Sequence, residues 1–187
     1  MEKKDITNAV KILKKGGIGV VPTDTLYGLV GRANDKKVIA RIKRIKGRSP
    51  GKPFIILISS IKQIEDFGLK LKVQDKEVLD KLWPGPISIA LTKKISFRLP
   101  KNKFLIELIN KTGPLVAPSA NPEGLPPANT IAEARNYFDY PANSGASKVD
   151  FYLSAKRKLS DQPSTLIRLK NGQINIIRYG KYKLRGI

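Results

Sequence analysis

The chain alternates between segments with a helical spacing of apolar residues and segments with a strand-like spacing. In the first segment the apolar residues recur every three to four positions: Ile6, Ala9, Val10 and Leu13. This spacing predicts a helix, which Gly16-Gly17 would end. The apolar run 18–21 then predicts a first strand, and residues 22–28 are predicted to form a loop.

A second helix is predicted from Asp35, whose side chain suits an N-cap. The apolar face of this helix is formed by Val38, Ile39, Ile42 and Ile45. The helical pattern ends at Lys46-Gly47-Arg48, and the glycine- and proline-rich segment 49–53 follows.

The remaining segments continue the alternation. Helical stretches are predicted near residues 61–66, 75–82, 102–112 and 130–138. Strands are predicted at residues 54–58, 87–91, 96–99, 115–117, 149–153, 165–169 and 174–178. The interleaving of the two kinds of segment predicts an α/β fold, in which one domain of residues 1–187 contains a twisted mixed sheet flanked by helices.

The composition excludes several classes of function. The chain of 187 residues contains no histidine and no cysteine. Disulfides, zinc fingers, thiol nucleophiles and histidine-based acid–base catalysis are therefore excluded. No apolar run approaches the roughly 20 residues that a membrane-spanning helix needs. We expect a cytoplasmic protein without a membrane partner.

The net charge is strongly positive, with 36 Lys and Arg residues against 15 Asp and Glu residues, a balance of +21. Such a charge favours polyanionic partners, whether nucleic acid, nucleotide or an acidic membrane surface. Much of the charge is dispersed lysine, which also fits an ordinary solvated surface. The aromatic and basic tail 178–185 is a candidate RNA-binding segment or simply a basic terminus.

Lys46 and Arg48 form a candidate anion clamp at the end of the second predicted helix. A guanidinium offers a planar fork of donors and an ammonium a compact charge, so the pair suits a group with several oxygens. Cations also favour helix carboxyl ends for purely structural reasons. The neighbouring Gly47-x-x-x-Gly51-Lys52-Pro53 fails as a phosphate-binding P-loop, because it is one residue too short and has proline where Ser or Thr should stand.

Polar residues are concentrated in four segments that border predicted strands. These segments are Pro22–Gly28, Ala117–Pro122, Pro163–Thr165 and Ile177–Gly180. Loops after strands commonly carry functional groups, and stiff prolines can place donors and acceptors with little entropy to lose on binding. Each segment taken alone is equally well explained as a turn.

Taken in order, these segments resemble the YrdC-like family, specifically its threonylcarbamoyl-AMP synthases. The matching motifs are Pro22-Thr23-Asp24-Thr25-Leu26-Tyr27-Gly28-Leu29, Lys46-Gly47-Arg48, Lys52-Pro53, Trp83-Pro84-Gly85-Pro86, Arg98, Ser119-Ala120-Asn121, Pro163-Ser164-Thr165 and Arg178-Tyr179-Gly180. A sister branch with the same fold lacks the Lys-x-Arg and Ser-x-Asn motifs. Because this chain keeps both motifs, it resembles the synthases more than that branch.

The resemblance implies a YrdC/RibB-like α/β fold with a basic concave cleft, and a nucleotidyltransferase that joins L-threonine, bicarbonate and ATP. It implies Lys46 and Arg48 as catalytic residues. The implied ATP-binding residues are Lys46, Arg48, Ser119, Asn121 and Arg178. The implied threonine-binding residues are Thr23, Tyr27, Arg98 and Ser164. We expect no resident metal, with Mg²⁺ carried by ATP, and no side chain is an evident general base.

The resemblance also implies partners in transfer RNA modification: a threonylcarbamoyl transferase that uses the product, and transfer RNA or double-stranded RNA as candidate ligands. Glu123 stands where the family often has serine, which puts any hydroxyl contact there in doubt. We expect one domain without the extra carboxy-terminal domain of longer members. The competing hypothesis is a non-catalytic module that binds double-stranded RNA or transfer RNA through its positive charge.

Overall fold

A computed structural model describes residues 3–139, 149–155, 159–160 and 162–184. The helices are α1 (Lys3–Lys14), α2 (Lys36–Lys46), α3 (Val73–Leu82), α4 (Lys103–Thr112) and α5 (Ile131–Phe138), with a 3₁₀ helix at Ile61–Phe67. The strands are β1 (Gly19–Pro22), β2 (Tyr27–Arg32), β3 (Ile55–Leu57), β4 (Ile87–Ala90), β5 (Ser96–Arg98), β6 (Leu115–Val116), β7 (Phe151–Tyr152), β8 (Thr165–Lys170) and β9 (Gln173–Arg178). Arg185, the last residue of the candidate RNA-binding tail, lies outside the described residues.

The strands form one mixed sheet in the order β7-β1-β2-β6-β3-β5-β4-β8-β9. The pairs β1/β7, β3/β5 and β4/β8 are parallel, and the other neighbouring pairs are antiparallel. In the middle of the sheet Leu57 pairs with Arg98, and Ile87 pairs with Thr165. The predicted α/β fold with a mixed sheet is therefore confirmed.

Successive strand residues point to opposite sides of the sheet, so its buried strands have two apolar faces. Helices cover both of these faces. Val20 and Leu29 face a core that also contains residues of α2, α3 and α5. Val21 and Val30 face a second, smaller core with residues of α1 and α4. The two cores hold the sheet between two layers of helix and so fix the positions of the loops at its edges.

Side-chain caps begin three of the helices. Asp35 accepts hydrogen bonds from two backbone amides at the start of α2, and Asn102 does the same for α4. Thr130 caps α5, as the sequence predicts. The longest described helix, α1, has 12 residues, and no described helix is long and apolar enough to cross a bilayer.

The sequence prediction misses strand β2. Residues 22–28 were expected to form a loop, yet β2 begins at Tyr27 and pairs along its length with β1. Its pattern is obscured by two glycines, which weaken strand signals. Gly31 is required by packing, because a Cβ there would lie 2.4 Å from Val38 Cγ1 in α2.

Candidate active site

A cleft with a cavity volume of about 390 Å³ lies where four loops and several strand ends meet. This volume lies within the usual range for small-molecule sites. The wall is formed by Thr23, Thr25, Leu26, Tyr27, Gly28, Arg48, Lys52, Pro53, Ile55, Leu57, Ser96, Arg98, Ala117, Pro118, Ser119, Pro127, Pro163, Ser164, Leu166 and Arg178. All four polar segments singled out in the sequence contribute to it.

The structure brings seven of the nine predicted site residues to this wall. They are Thr23, Tyr27, Arg48, Arg98, Ser119, Ser164 and Arg178. The other two, Lys46 and Asn121, lie behind the wall and are almost completely buried. The roles assigned to these residues remain predictions, whereas their clustering is a property of the fold.

The loop between β1 and β2 holds its hydroxyl groups in a buried hydrogen-bond network. Thr23 Oγ1 donates to the carbonyl of Leu26 at 2.6 Å and accepts from the amide of Thr25 at 3.1 Å. The Thr25 hydroxyl lies 3.1 Å from that of Thr23. Tyr27 accepts a hydrogen bond at its phenol oxygen from the amide of Ala155, at 3.0 Å. The loop is thus held in one conformation at the wall.

Arg98 is a buried cation, with 4% of its surface exposed. Its guanidinium donates to the carbonyl of Gly85 at 3.3 Å, to Thr25 Oγ1 at 3.0 Å and to Asp24 Oδ1. Gly85 belongs to the Trp-Pro-Gly-Pro segment, in which the Trp83–Pro84 peptide bond is cis. A guanidinium has five N–H donors, so the three described contacts fix its orientation and leave donors for a ligand.

Ser164 and Arg178 meet at the opposite side of the cleft. The hydroxyls of Ser164 and Ser88 are 2.8 Å apart and both residues are buried. Arg178 Nη2 donates to the carbonyl of Ser164 at 2.9 Å, and burial lowers the pKa of Arg178. The end of β9 and the loop before β8 are therefore coupled by a cation that faces the cavity.

Lys46 lies on the buried face of α2 together with Val38 and Ile42. Its ammonium donates to the carbonyl of Ser119 at 2.5 Å and to the carbonyl of Asn121. The protonated ammonium keeps one further donor, but Lys46 is buried and lies outside the cavity wall, so the predicted contact with a phosphate would require its side chain or the surrounding loops to move. In the structure the ammonium supports the loop that carries Ser119.

Asn121 is oriented by its own turn. Its Nδ2 donates to the carbonyls of Pro122 and Leu125, at 2.9 and 2.7 Å. Its Oδ1 is buried and has no described hydrogen-bond partner. A buried acceptor without a donor is costly, so a ligand or a small rearrangement that supplies a donor would be favourable at this position.

Residues 47–53, which we call the cationic loop, carry Arg48 and Lys52 to the wall. Arg48 Nη2 donates to the carbonyl of Pro53 at 2.7 Å, and the guanidinium lies 4.7 Å from the centre of the Phe54 ring. The side chain of Arg48 therefore bonds to its own loop and packs on the ring of Phe54, a core residue that follows the loop, so its position depends on both.

Burial shifts the pKa values of the cations around the loop. Desolvation, followed by the charge of Arg48, lowers the pKa of Lys46 from 10.5 to about 7, and Glu123 partly opposes this. Burial also lowers the pKa of Arg48, again opposed by Glu123. Both shifts show that burial destabilises the charged forms of these two side chains, a cost that a neighbouring anion would offset.

The wall is positively charged, because Arg48, Lys52, Arg98 and Arg178 line it and no carboxylate does among the described residues. Within the same part of the chain, no group of three or more His, Cys, Asp and Glu side chains is arranged to hold a metal ion. Asp24, the nearest candidate ligand, has one oxygen bound to Arg98. The arrangement suits a polyanionic ligand rather than a resident cation.

Several residues of the site were not predicted. Thr25 and Lys52 line the cavity, although the sequence analysis quoted them only as parts of motifs. Ser88 stands behind Ser164, and Glu123 contacts the cationic loop. The first two could have been identified from their motifs, whereas the last two depend on contacts between distant segments.

The fold and the site together define an α/β protein with a cleft that suits a phosphorylated small molecule. A profile of the Sua5, YciO and YrdC proteins, described as "Telomere recombination", matches residues 11–180. The chain therefore belongs to the Sua5/YciO/YrdC family.

Known members of the family agree with this assignment. The chain is 30% identical to the threonylcarbamoyl-AMP synthase of Hahella chejuensis, over 90% of this chain and 96% of that protein. It matches the crystal structure of Pyrococcus abyssi Sua5 in complex with L-threonine with a TM-score of 0.84 and 25% identity. That match covers 96% of this chain and 55% of the Sua5 chain, so this chain spans about half of Sua5. The solution structure of the protein MTH1692 from Methanobacterium thermoautotrophicum matches at 30% identity with a TM-score of 0.69, over 96% of this chain and 88% of that chain.

Proposed function

We propose that this chain is an L-threonylcarbamoyladenylate synthase, which converts L-threonine, bicarbonate and ATP into threonylcarbamoyl-AMP and pyrophosphate. One observation carries the proposal: three arginines and a lysine converge with several hydroxyl groups on a single cavity whose described wall has no carboxylate. The synthases among the relatives, and the L-threonine bound to P. abyssi Sua5, support the same activity and substrate.

The reaction brings anions together. The amine of threonine attacks the carbon of bicarbonate, and water leaves as the carbamate forms. A carbamate oxygen then attacks the α-phosphorus of ATP, and the bond from that phosphorus to the bridging oxygen breaks as pyrophosphate leaves. The amine proton passes to bicarbonate or solvent. Fixed cations and close positioning lower the barrier to such a step without a covalent enzyme intermediate.

The wall residues divide by position. Arg48 and Lys52, on the cationic loop, suit the phosphates of ATP and the carbamate. Ser119 and Arg178 suit the remaining part of the nucleotide. The threonine-binding group would be Thr23, Tyr27, Arg98 and Ser164. Lys46 and Asn121 would contribute to ATP binding mainly by holding the Ser119 loop, unless substrate draws them to the cavity.

Magnesium is proposed to arrive with ATP, held by phosphate oxygens. The described residues do not fit a resident Mg²⁺ site. This ion keeps several waters and is bound through one or two carboxylates, whereas no carboxylate lines the described wall and Asp24, the nearest one, has one oxygen bound to Arg98 and the other buried. No step of the proposal depends on a protein ligand to the metal.

The product is a mixed anhydride, which must be consumed by a second enzyme that transfers the threonylcarbamoyl group. We propose that the acceptor is an adenosine of transfer RNA and that the reaction takes place in the cytoplasm. The net charge of +21 makes a direct contact with RNA plausible on electrostatic grounds.

The direct test is pyrophosphate release from ATP with threonine, bicarbonate and ATP each omitted in turn. Release is expected only with all three present. Release that persists without threonine would contradict the proposal, and absence of any release together with tight RNA binding would favour the non-catalytic module.

In the same assay the informative variant is Arg48→Ala, because it removes a cation from the wall. We expect a loss of kcat/KM of about 100-fold or more, which is the scale for one group that stabilises developing charge. Arg168→Ala removes an exposed arginine of β8 that lies outside the wall and serves as the control. Equal activity of the two variants would contradict the role of Arg48.

A further inference from the structure

Glu123 joins two loops that the sheet does not connect. Its Oε2 accepts from the amide of Ser49 at 2.7 Å, and its Oε1 accepts from the Ser49 hydroxyl at 2.7 Å and from the ammonium of Lys52. Its own amide donates to the carbonyl of Lys46 at 2.7 Å. Four hydrogen bonds from one residue therefore connect the turn after Asn121 to the start, middle and end of the segment 46–52.

We propose that Glu123 is a positioning residue: its carboxylate fastens the cationic loop to the turn after Asn121 and thereby holds Arg48 at the wall of the cavity. The proposal concerns a position at which this chain departs from the serine common in its family. The kinetic tests of this proposal rest on the proposed function, whereas the hydrogen-exchange tests do not.

The cationic loop has few other attachments. Gly47 and Gly51 have φ values of 59° and 80°, and a Cβ at either position would meet nothing within 4 Å. Such glycines give the chain freedom and provide no side-chain packing. The Arg48 amide donates to the carbonyl of Lys43 in α2 at 2.9 Å and its guanidinium packs on Phe54, which holds the two ends of the loop. The side-chain bonds of Arg48 to the carbonyls of Lys52 and Pro53 lie within the loop and do not attach residues 49–52 to the rest of the fold. Glu123 is what ties the loop to the rest of the described fold at Ser49 and Lys52.

The carboxylate also balances charge. Hydrogen bonds from Lys52 and then Ser49 lower the pKa of Glu123 to about 2, so it is ionised throughout the neutral range. The charged groups that act on Lys46 are Arg48, which lowers its pKa, and Glu123, which raises it. Loss of the carboxylate charge would thus move the pKa of Lys46 further down.

Two conservative variants separate the effect of where the Glu123 carboxylate lies from the effect of its charge. Glu123→Asp keeps the charge but shortens the side chain by one CH₂ group, so it cannot reach both Ser49 and Lys52. Glu123→Gln keeps the length and an acceptor for Ser49 but removes the charge. Glu77→Asp and Glu77→Gln make the same changes at an exposed glutamate of α3 outside the cavity wall and are the matched controls.

Glu123→Asp is expected to speed hydrogen exchange of the Ser49 amide by about tenfold or more, because this amide donates to the carboxylate. The kcat/KM for ATP is expected to fall about tenfold, through a higher KM and a lower kcat, because a displaced Arg48 binds the phosphates less well and stabilises the developing charge less well. Unchanged exchange and unchanged kcat/KM, as in Glu77→Asp, would overturn the proposal. Faster exchange with an unchanged kcat/KM would overturn the positioning of Arg48.

Loss of the Glu123 charge lowers the pKa of Lys46 further. Glu123→Gln is therefore expected to shift the alkaline limb of the pH profile of kcat/KM, which deprotonation of Lys46 would set, to lower pH. Its effect on hydrogen exchange of the Ser49 amide is expected to be smaller than that of Glu123→Asp. A purely structural contact would not move this limb. An identical limb in Glu123→Gln and Glu77→Gln would overturn the charge effect. If the unsubstituted protein releases no pyrophosphate, the proposed function fails, but the exchange comparison still decides whether Glu123 fastens the loop.

Discussion

Lys46→Met provides a thermodynamic test of the buried ammonium that needs no knowledge of the reaction. Lys46 has 2% of its surface exposed, and burial lowers its pKa from 10.5 to about 7. Methionine has a similar length and no charge. The substitution removes the titration of this ammonium and leaves the rest of α2 and the cationic loop unchanged.

The direction of the pH dependence of stability follows from the pKa of Lys46 in the folded protein and in the unfolded chain. Between about pH 7 and 10.5 the unfolded chain keeps the proton on Lys46 while the folded protein releases it. The unfolded state therefore binds more protons, and stability rises with pH across this window. Below pH 7 both states are protonated and the full cost of burying the ammonium is present.

The magnitude follows from the same values. The free energy of unfolding of the parent, measured relative to that of Lys46→Met, is expected to rise by about 2–3 kcal/mol from pH 6 to pH 9. Glu123, with a pKa of about 2, stays ionised over this range. A guanidinium such as that of Arg48 stays protonated in proteins. Neither neighbour should therefore mask the effect.

The assay is urea unfolding at several pH values between 6 and 9, followed by the fluorescence of Trp83, the single tryptophan of the chain. Lys43→Met removes an exposed cation from the same helix and controls for the change in net charge. The absolute difference between parent and Lys46→Met includes the two carbonyls that lose a donor, so only its pH dependence is diagnostic. If the difference in free energy of unfolding between the parent and Lys46→Met stays constant or falls with rising pH, burial does not lower the pKa of Lys46.

Two further substitutions test packing, one beside the cleft and one between β1 and β7. Ser88→Ala leaves the hydroxyl of Ser164 without its partner at 2.8 Å. It should lower stability by about 1 kcal/mol and raise the KM for threonine by roughly threefold to tenfold, whereas an unchanged KM would separate Ser164 from threonine binding. Gly19→Ala places a Cβ about 2.2 Å from ring atoms of Phe151. It should cost about 1–3 kcal/mol in urea unfolding, and parent-like stability would contradict the tight contact of β1 with β7.

The order of elements could be predicted because helical and strand spacings differ clearly in most of this chain. Strand β2 was missed because Gly28 and Gly31 interrupt its apolar run, and the need for Gly31 appears only when α2 packs against it. The 3₁₀ helix at Ile61–Phe67 was predicted as a helical stretch, and its tighter geometry leaves no separate signal in the spacing.

The site shows where motifs are informative and where they are not. Ordered motifs identified seven residues of the cavity wall, each of which lies in a loop or at a strand end. They did not show that Lys46 points inward. The signal was nevertheless present: Val38, Ile42 and Lys46 are spaced by four residues and share the buried face of α2.

The contacts of Glu123 and Ser88 could not be predicted from spacing. Glu123 lies 74 residues from Ser49, and Ser88 lies 76 residues from Ser164. Such pairs depend on the order of strands in the sheet, which brings the loops after α2 and β6 together. A sequence without an alignment gives no direct information on that order.

The chain has no histidine and no cysteine, so imidazole proton transfer and thiol nucleophiles are excluded, and the catalysis proposed for this cleft relies on charge and position. Transfer of a nucleotidyl group suits such a site, because most of the barrier comes from bringing anions together. Fixed charges are effective only if they do not have to reorganise during the reaction. Arg98, Arg178 and Arg48 each donate to backbone carbonyls, which holds them in place before substrate arrives. The bonds that orient these cations are therefore as much a part of the proposed mechanism as their charges.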